Sequence, residues 1–75
     1  MVIGIEIISS KGYDYFKMVI KNSISISDLQ KSLQVPEKYH ILVNGFYELD
    51  DYQVRPYDQI SFIVNPVITE VKNIN

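Results

Sequence analysis

The chain has 75 residues, 47% of them hydrophobic, with six tyrosines, three phenylalanines and no cysteine. That length allows one domain, held by an apolar core and not by disulfides or thiolate metal sites. Its seven basic residues are scattered and its net charge is −2, which argues against nucleic-acid binding, a task that needs a basic face.

No apolar run is long enough to span a bilayer. The opening MVIGIEIISS has neither the basic start nor the small-residue cleavage site of a secretory signal. These features predict a soluble, cytoplasmic protein that meets neither membrane nor nucleic acid.

Residues 2–8 alternate, with Ile3, Ile5 and Ile7 on one face, and predict a strand with its odd positions inward. Ser9-Ser10-Lys11-Gly12 is a turn cluster. Residues 15–21 alternate again, with Phe16, Met18 and Ile20 together, so the two runs predict a β-hairpin. The period then changes. Ile26, Leu29 and Leu33 fall at helical spacing and predict one helix over 27–34, with Gln30 and Lys31 outward. Ser27 is the expected N-cap, with Gln30 three residues later and Asp28 suited to the positive end of the helix dipole. Pro36 ends the segment.

Residues 40–44 predict a third strand that buries Ile41 and Val43, closed by the Asn44-Gly45 turn. Residues 46–49 predict a short strand, and 50–58 a polar connection. Residues 59–64 predict a last strand with Ile60, Phe62 and Val64 inward. The order is β-β-α-β-(β)-β, an α+β fold with a mixed sheet and one helix packed on one face.

Three segments carry a resemblance beyond this order. Ile41-Leu42-Val43-Asn44-Gly45 resembles an "apolar-x-Val-Asn-Gly" strand and turn. Residues 54–60 (VRPYDQI) resemble an "apolar-x-x-Gly-Asp-x-Val" entry into a final strand, with Tyr57 standing where glycine is usual. Residues 62–67 (FIVNPV) resemble a strand and Pro-Val leading into a tail. Together they make the chain similar to the ubiquitin-like β-grasp sulfur carriers, the family of the molybdopterin synthase small subunit and the thiamine-biosynthesis sulfur carrier. The resemblance implies a β-grasp domain over 1–66, a C-terminal tail over 67–75, and an adenylating enzyme or a synthase large subunit as partner. In that family a Gly-Gly tail enters the adenylating enzyme and its carboxylate becomes a thiocarboxylate. Glycine suits that passage because it lacks a Cβ. Here the glycines are Gly4, Gly12 and Gly45 alone, so the expectation is a carrier-like protein that does not form the thiocarboxylate. The alternative is a genuine carrier with an atypical or altered terminus.

Candidate chemistry is sparse. His40 is the only histidine and has no cysteine to join it at metal-ligand spacing; an ordinary strand-edge histidine is the better reading. Asp50, Asp51 and Asp58 suit local turn hydrogen bonds better than acid–base work. The serines carry no mark of a nucleophile. The expectation is therefore no enzyme, no cofactor and no metal. Tyr39, Tyr52 and Tyr57 are read as shielding a small core, whereas Tyr13 and Tyr15 suit shielding and an interface equally.

The outward positions say more. Val19, Leu42 and Ile63, with Ile8, should point away from the helix, where a solvated face would read polar. They are predicted to bind a partner, beside Lys17 and Lys21, unless the chain's own tail covers them. The tail residues Pro66, Val67 and Ile68 are predicted to add a strand to a sheet edge. An exposed apolar face is also compatible with a homodimer.

Overall fold

The computed structural model describes residues 1–65. The predicted sites Pro66, Val67 and Ile68, and the predicted tail over 67–75, lie outside the described residues. The elements run β1 (Val2–Ser9), β2 (Gly12–Val19), α1 (Ile26–Ser32), β3 (Tyr39–Val43), β4 (Phe46–Tyr47) and β5 (Gln59–Val64). They form one five-stranded sheet in the order β2-β1-β5-β3-β4. β1 and β5 pair in parallel at its centre, and the other pairs are antiparallel. One helix and a mixed sheet in this order make an α+β fold of the β-grasp kind.

Alternation decides which face meets the helix. Ile3 and Ile5 of β1, Ile41 and Val43 of β3, and Ile60, Phe62 and Val64 of β5 are buried in one cluster with Ile26 and Leu29 of α1. Burying each such side chain contributes about 1.5–3 kcal/mol before the entropy of ordering it is counted. Phe16, Met18, Ile20, Tyr39 and Tyr52 close the edges of the cluster, half-buried.

Several expectations need correction. The hairpin turn is tighter than its four-residue signal, because Ser9 already pairs with Gly12 and β2 starts there. The early residues of β2 are exposed, so no alternation announces them. The N-cap is Ser25, not Ser27: Ser25 Oγ accepts from the Asp28 N–H at 3.1 Å. The next two N–H groups are taken from across the chain, Ile26 donating to the Tyr52 carbonyl and Ser27 to that of Asp50. The first-turn donors are thereby all satisfied. Gln30 is buried rather than outward, and its side-chain amide donates to the Val35 carbonyl. A seven-residue helix leaves the chain doubling back at once, and Gln30 closes that return.

The 50–58 connection is less polar than it reads. Val54 is 1% exposed, and its N–H donates to the Ile24 carbonyl, locking the connection against the start of the helix. Asp58 is also buried. Its carboxylate accepts from the Arg55 N–H at 2.8 Å, the Tyr52 hydroxyl at 2.7 Å and the Asn44 amide at 2.9 Å. Asn44 in turn accepts from the Gln59 N–H. One carboxylate thus joins the β3–β4 turn, the connection and the entry to β5. Burial would raise its pKa, but these hydrogen bonds together outweigh that and hold it below the usual aspartate value.

Candidate interaction surface

The other face of the sheet follows from register. Tyr13, Ile8, Ile63 and His40 form one cross-strand row, because Ile8 pairs with Tyr13 and with Ile63, and Ile63 with His40. The next row is Tyr15, Glu6, Ser61, Leu42 and Tyr47. Leu42 is therefore a diagonal neighbour of Ile63, within side-chain reach. Ile8, Leu42 and Ile63 form one apolar patch at the β1 C-terminal end of the sheet.

Val19 does not join it. It pairs with Val2 at the opposite end of β1 and is 75% exposed. Six steps along the strand separate Val2 from Ile8, about 20 Å at the usual rise, and the row containing Lys17, Gly4 and Gln59 lies between. The three residues predicted as one site thus divide into a pair, Leu42 and Ile63, and a distant corner. Alternation places a residue on a face. It does not say which strands become neighbours.

Two residues missed in the sequence extend the patch toward β4. Tyr47, in the Leu42 row, and Leu49 beyond it are each more than 70% exposed, whereas Phe46, equally exposed, pairs with Val43 and lies on the helix side. The Tyr47 ring meets His40 edge-on, with centroids 6.0 Å apart. Beside them a shallow groove of about 310 Å³ runs between Tyr39, His40 and Ile41 on one side and Tyr47, Glu48, Leu49 and Asp50 on the other. The available signal was Tyr47-x-Leu49 shortly after Asn44-Gly45: apolar residues at alternate positions on a strand too short to bury them.

Polar groups mark the middle of the face. Glu6 accepts from the Tyr13 hydroxyl at 2.6 Å and from the Ser61 hydroxyl at 2.7 Å. These two bonds, Tyr13's first, hold its carboxyl below the usual glutamate value against the opposing effect of burial. The same bond raises the Tyr13 hydroxyl. Glu6 is thus a fixed anion beside the apolar patch, and Tyr13 is locked over Ile8.

The tyrosines read as shielding divide as well. Tyr39 and Tyr52 do pack on the core, and burial, more than their respective neighbours Asp50 and Asp58, raises both hydroxyls. Tyr57 does not: it is 80% exposed. His40 is an exposed strand residue, as expected. Among the described residues no group of three or more His, Cys, Asp or Glu side chains could hold a metal ion, and no helix is long and apolar enough to cross a membrane.

Compared with models of known protein families and with curated proteins, the chain matches none.

Proposed function

We propose that this chain is a small, non-enzymatic, sulfur-carrier-like binding module that docks a partner protein through one end of its outer sheet face. The observation that carries the reading is the patch of Ile8, Leu42 and Ile63, set on a rigid sheet and rimmed by Tyr13, His40 and Tyr47. Aromatic side chains around a small apolar centre are the composition of interface cores. Glu6 inside the face and Glu48 and Asp50 along the groove give it an acidic border. The fitting partner presents an apolar centre ringed by lysine or arginine.

The β-grasp architecture supports a family partner, an adenylating enzyme or a synthase large subunit. The glycines lie at Gly4 in β1, at Gly12 on the first residue of β2 and at Gly45 in the β3–β4 turn, so no Gly-Gly pair is available for thiocarboxylate chemistry in this sequence. Binding without sulfur transfer is the function proposed.

The test is capture of a basic-rimmed partner from host extract by the wild type and by Leu42→Asp, with partners identified by mass and both baits checked for folding. Loss of one defined protein with Leu42→Asp, and weaker capture with rising salt, is the expected result. A partner retained equally by both baits overturns the docking face. A sulfur-bearing or adenylated form of the chain in the same extract, seen by intact mass, overturns the binding-only reading.

A further inference from the structure

β2 is the outermost strand of the sheet, and its hydrogen-bond pattern fixes what its free edge offers. The Met1 amino group donates to the Ile20 carbonyl, and the Ile20 N–H donates to the Met1 carbonyl. In an antiparallel pair such exchanges recur every second residue. Met18, Phe16, Asp14 and Gly12 therefore bond to β1, and the N–H and C=O groups of Tyr13, Tyr15, Lys17 and Val19 point outward. Among the described residues nothing pairs with them. The register with β1 runs unbroken over eight residues, with no bulge and no proline. Proteins usually shorten, bend or cover such an edge.

We propose that this edge binds a second copy of the chain, β2 to β2, antiparallel about a two-fold axis at Phe16. This register pairs all four outward residues. Tyr13 meets the second copy's Val19, Tyr15 meets its Lys17, and the reciprocal pairs follow by symmetry, giving about eight backbone hydrogen bonds. Within β2 no like charges meet, since Asp14 falls opposite Met18; Lys11 and Lys21, which the register aligns, lie beyond its two ends. Lys17 gains an aromatic ring, a favourable partner for an ammonium. On the helix side the two Phe16 rings face each other in a close pair and cover apolar surface that each copy leaves half exposed. On the outer side Val19, stranded at its own corner, comes to lie beside the second copy's Tyr13, at the end of the row that continues to its Ile8. Moving the register by one pairing step puts Tyr15 against Tyr15 and leaves Val19 beyond the partner strand. The side chains of β2 thus select one self-complementary register. The inference rests on the strand edge; it shares Tyr13 with the rim of the partner-docking face but uses neither Leu42 nor Ile63.

Sedimentation equilibrium on the full chain tests it, over a concentration series reaching about 1 mM, where a weak dimer is still populated. The expected result is a rise from 8.7 kDa toward twice that mass. Tyr15→Glu places a carboxylate opposite Lys17 and should tighten the dimer about tenfold in low salt. Tyr15→Lys places two ammonium groups together and should weaken it by a similar factor. Lys17→Pro removes an N–H that β1 does not use and should leave a monomer. If that variant fails to fold, the opposed response of the two Tyr15 variants decides. The chain has no cysteine, so Phe16→Cys should oxidise to a single linked dimer. A monomer at every concentration overturns the proposal, as does a dimer that responds to Leu42→Asp and not to the Tyr15 pair.

Discussion

The Tyr52 hydroxyl donates to Oδ2 of Asp58 at 2.7 Å, from a residue that also caps the fold elsewhere: the Tyr52 carbonyl accepts the Ile26 N–H at the start of α1. Through this one tyrosine the buried carboxylate at the entry to β5 is connected to the helix terminus. Asp58→Asn keeps the shape but presents amide hydrogens to groups that already donate. Hydrogen bonds to a charged group are worth about 1.5–3 kcal/mol each, and the losses here are partly shared, so a net cost of roughly 2–3 kcal/mol is expected in urea unfolding.

The same carboxylate sets a pH dependence. Its folded pKa lies below the ordinary aspartate value. Its contribution is therefore fully present above the unfolded pKa and is lost as pH falls through the lowered folded value. Glu6 acts with the same sign. Stability followed from neutral pH into acid should decline through the carboxylate range. Asp58→Asn should flatten that decline, and a variant as acid-sensitive as the wild type would remove Asp58 from the account.

The cap assignment makes a paired prediction. Ser25→Ala should cost about 1 kcal/mol, the usual value of an N-cap oxygen. Ser27→Ala should change stability by no more than about 0.5 kcal/mol, because only its backbone N–H, which alanine keeps, is used at the helix start. Thermal melts of the two variants compare them directly.

That pair also shows what could be read in advance. In SISISD, residues 23–28, both Ser25 and Ser27 stand where a helix could start, and local sequence does not choose between them. The choice is made by the carbonyls of Tyr52 and Asp50, more than twenty positions away. The strands that bury one face, β1, β3 and β5, were legible because their alternation is local. Asn44 and Gly45 do adopt positive φ, 52° and 87°, as their types predict. The first residues of β2 and the burial of Val54 and Gln30 were not legible, since each depends on a partner from another segment. The outer face was legible residue by residue but not as a surface: Ile8 and Ile63 become neighbours only through the parallel β1–β5 pair.

Tyr57 is a second case of conflict between local preference and the fold. Asp58 N–H closes a turn on the Arg55 carbonyl, with Pro56 second and Tyr57 third at φ 67°. That is the pattern of a type II turn, whose third place favours glycine. Left-handed backbone costs a residue with a Cβ about 1–2 kcal/mol, against the entropy cost of roughly 0.5–1 kcal/mol that glycine brings. The ring is exposed and returns little burial. Tyr57→Gly should therefore leave stability unchanged or raise it by up to about 1 kcal/mol, while Tyr57→Val should lower it. A clear loss with glycine, in denaturant midpoint at constant slope, would show that the exposed ring is held by contacts of its own.

Adjacent residues of β5 test the two faces most sharply. Phe62 is fully buried and meets the Tyr39 ring edge-on at 5.4 Å. Phe62→Ala should cost about 3–5 kcal/mol, the transfer free energy plus the cavity left behind, and would leave a 75-residue domain barely folded. Ile63 points the other way, between Ile8 and His40. Its cross-strand contacts are worth roughly 0.2–1 kcal/mol, so Ile63→Thr, which keeps the β-branch, should cost no more than about 1 kcal/mol. A side chain that is apolar and half-buried, yet nearly dispensable for folding, is what a binding surface requires. If Ile63→Thr proves as damaging as Phe62→Ala, something in the chain itself already covers that face. The patch of Ile8, Leu42 and Ile63 would then be a second core and not a place for a partner.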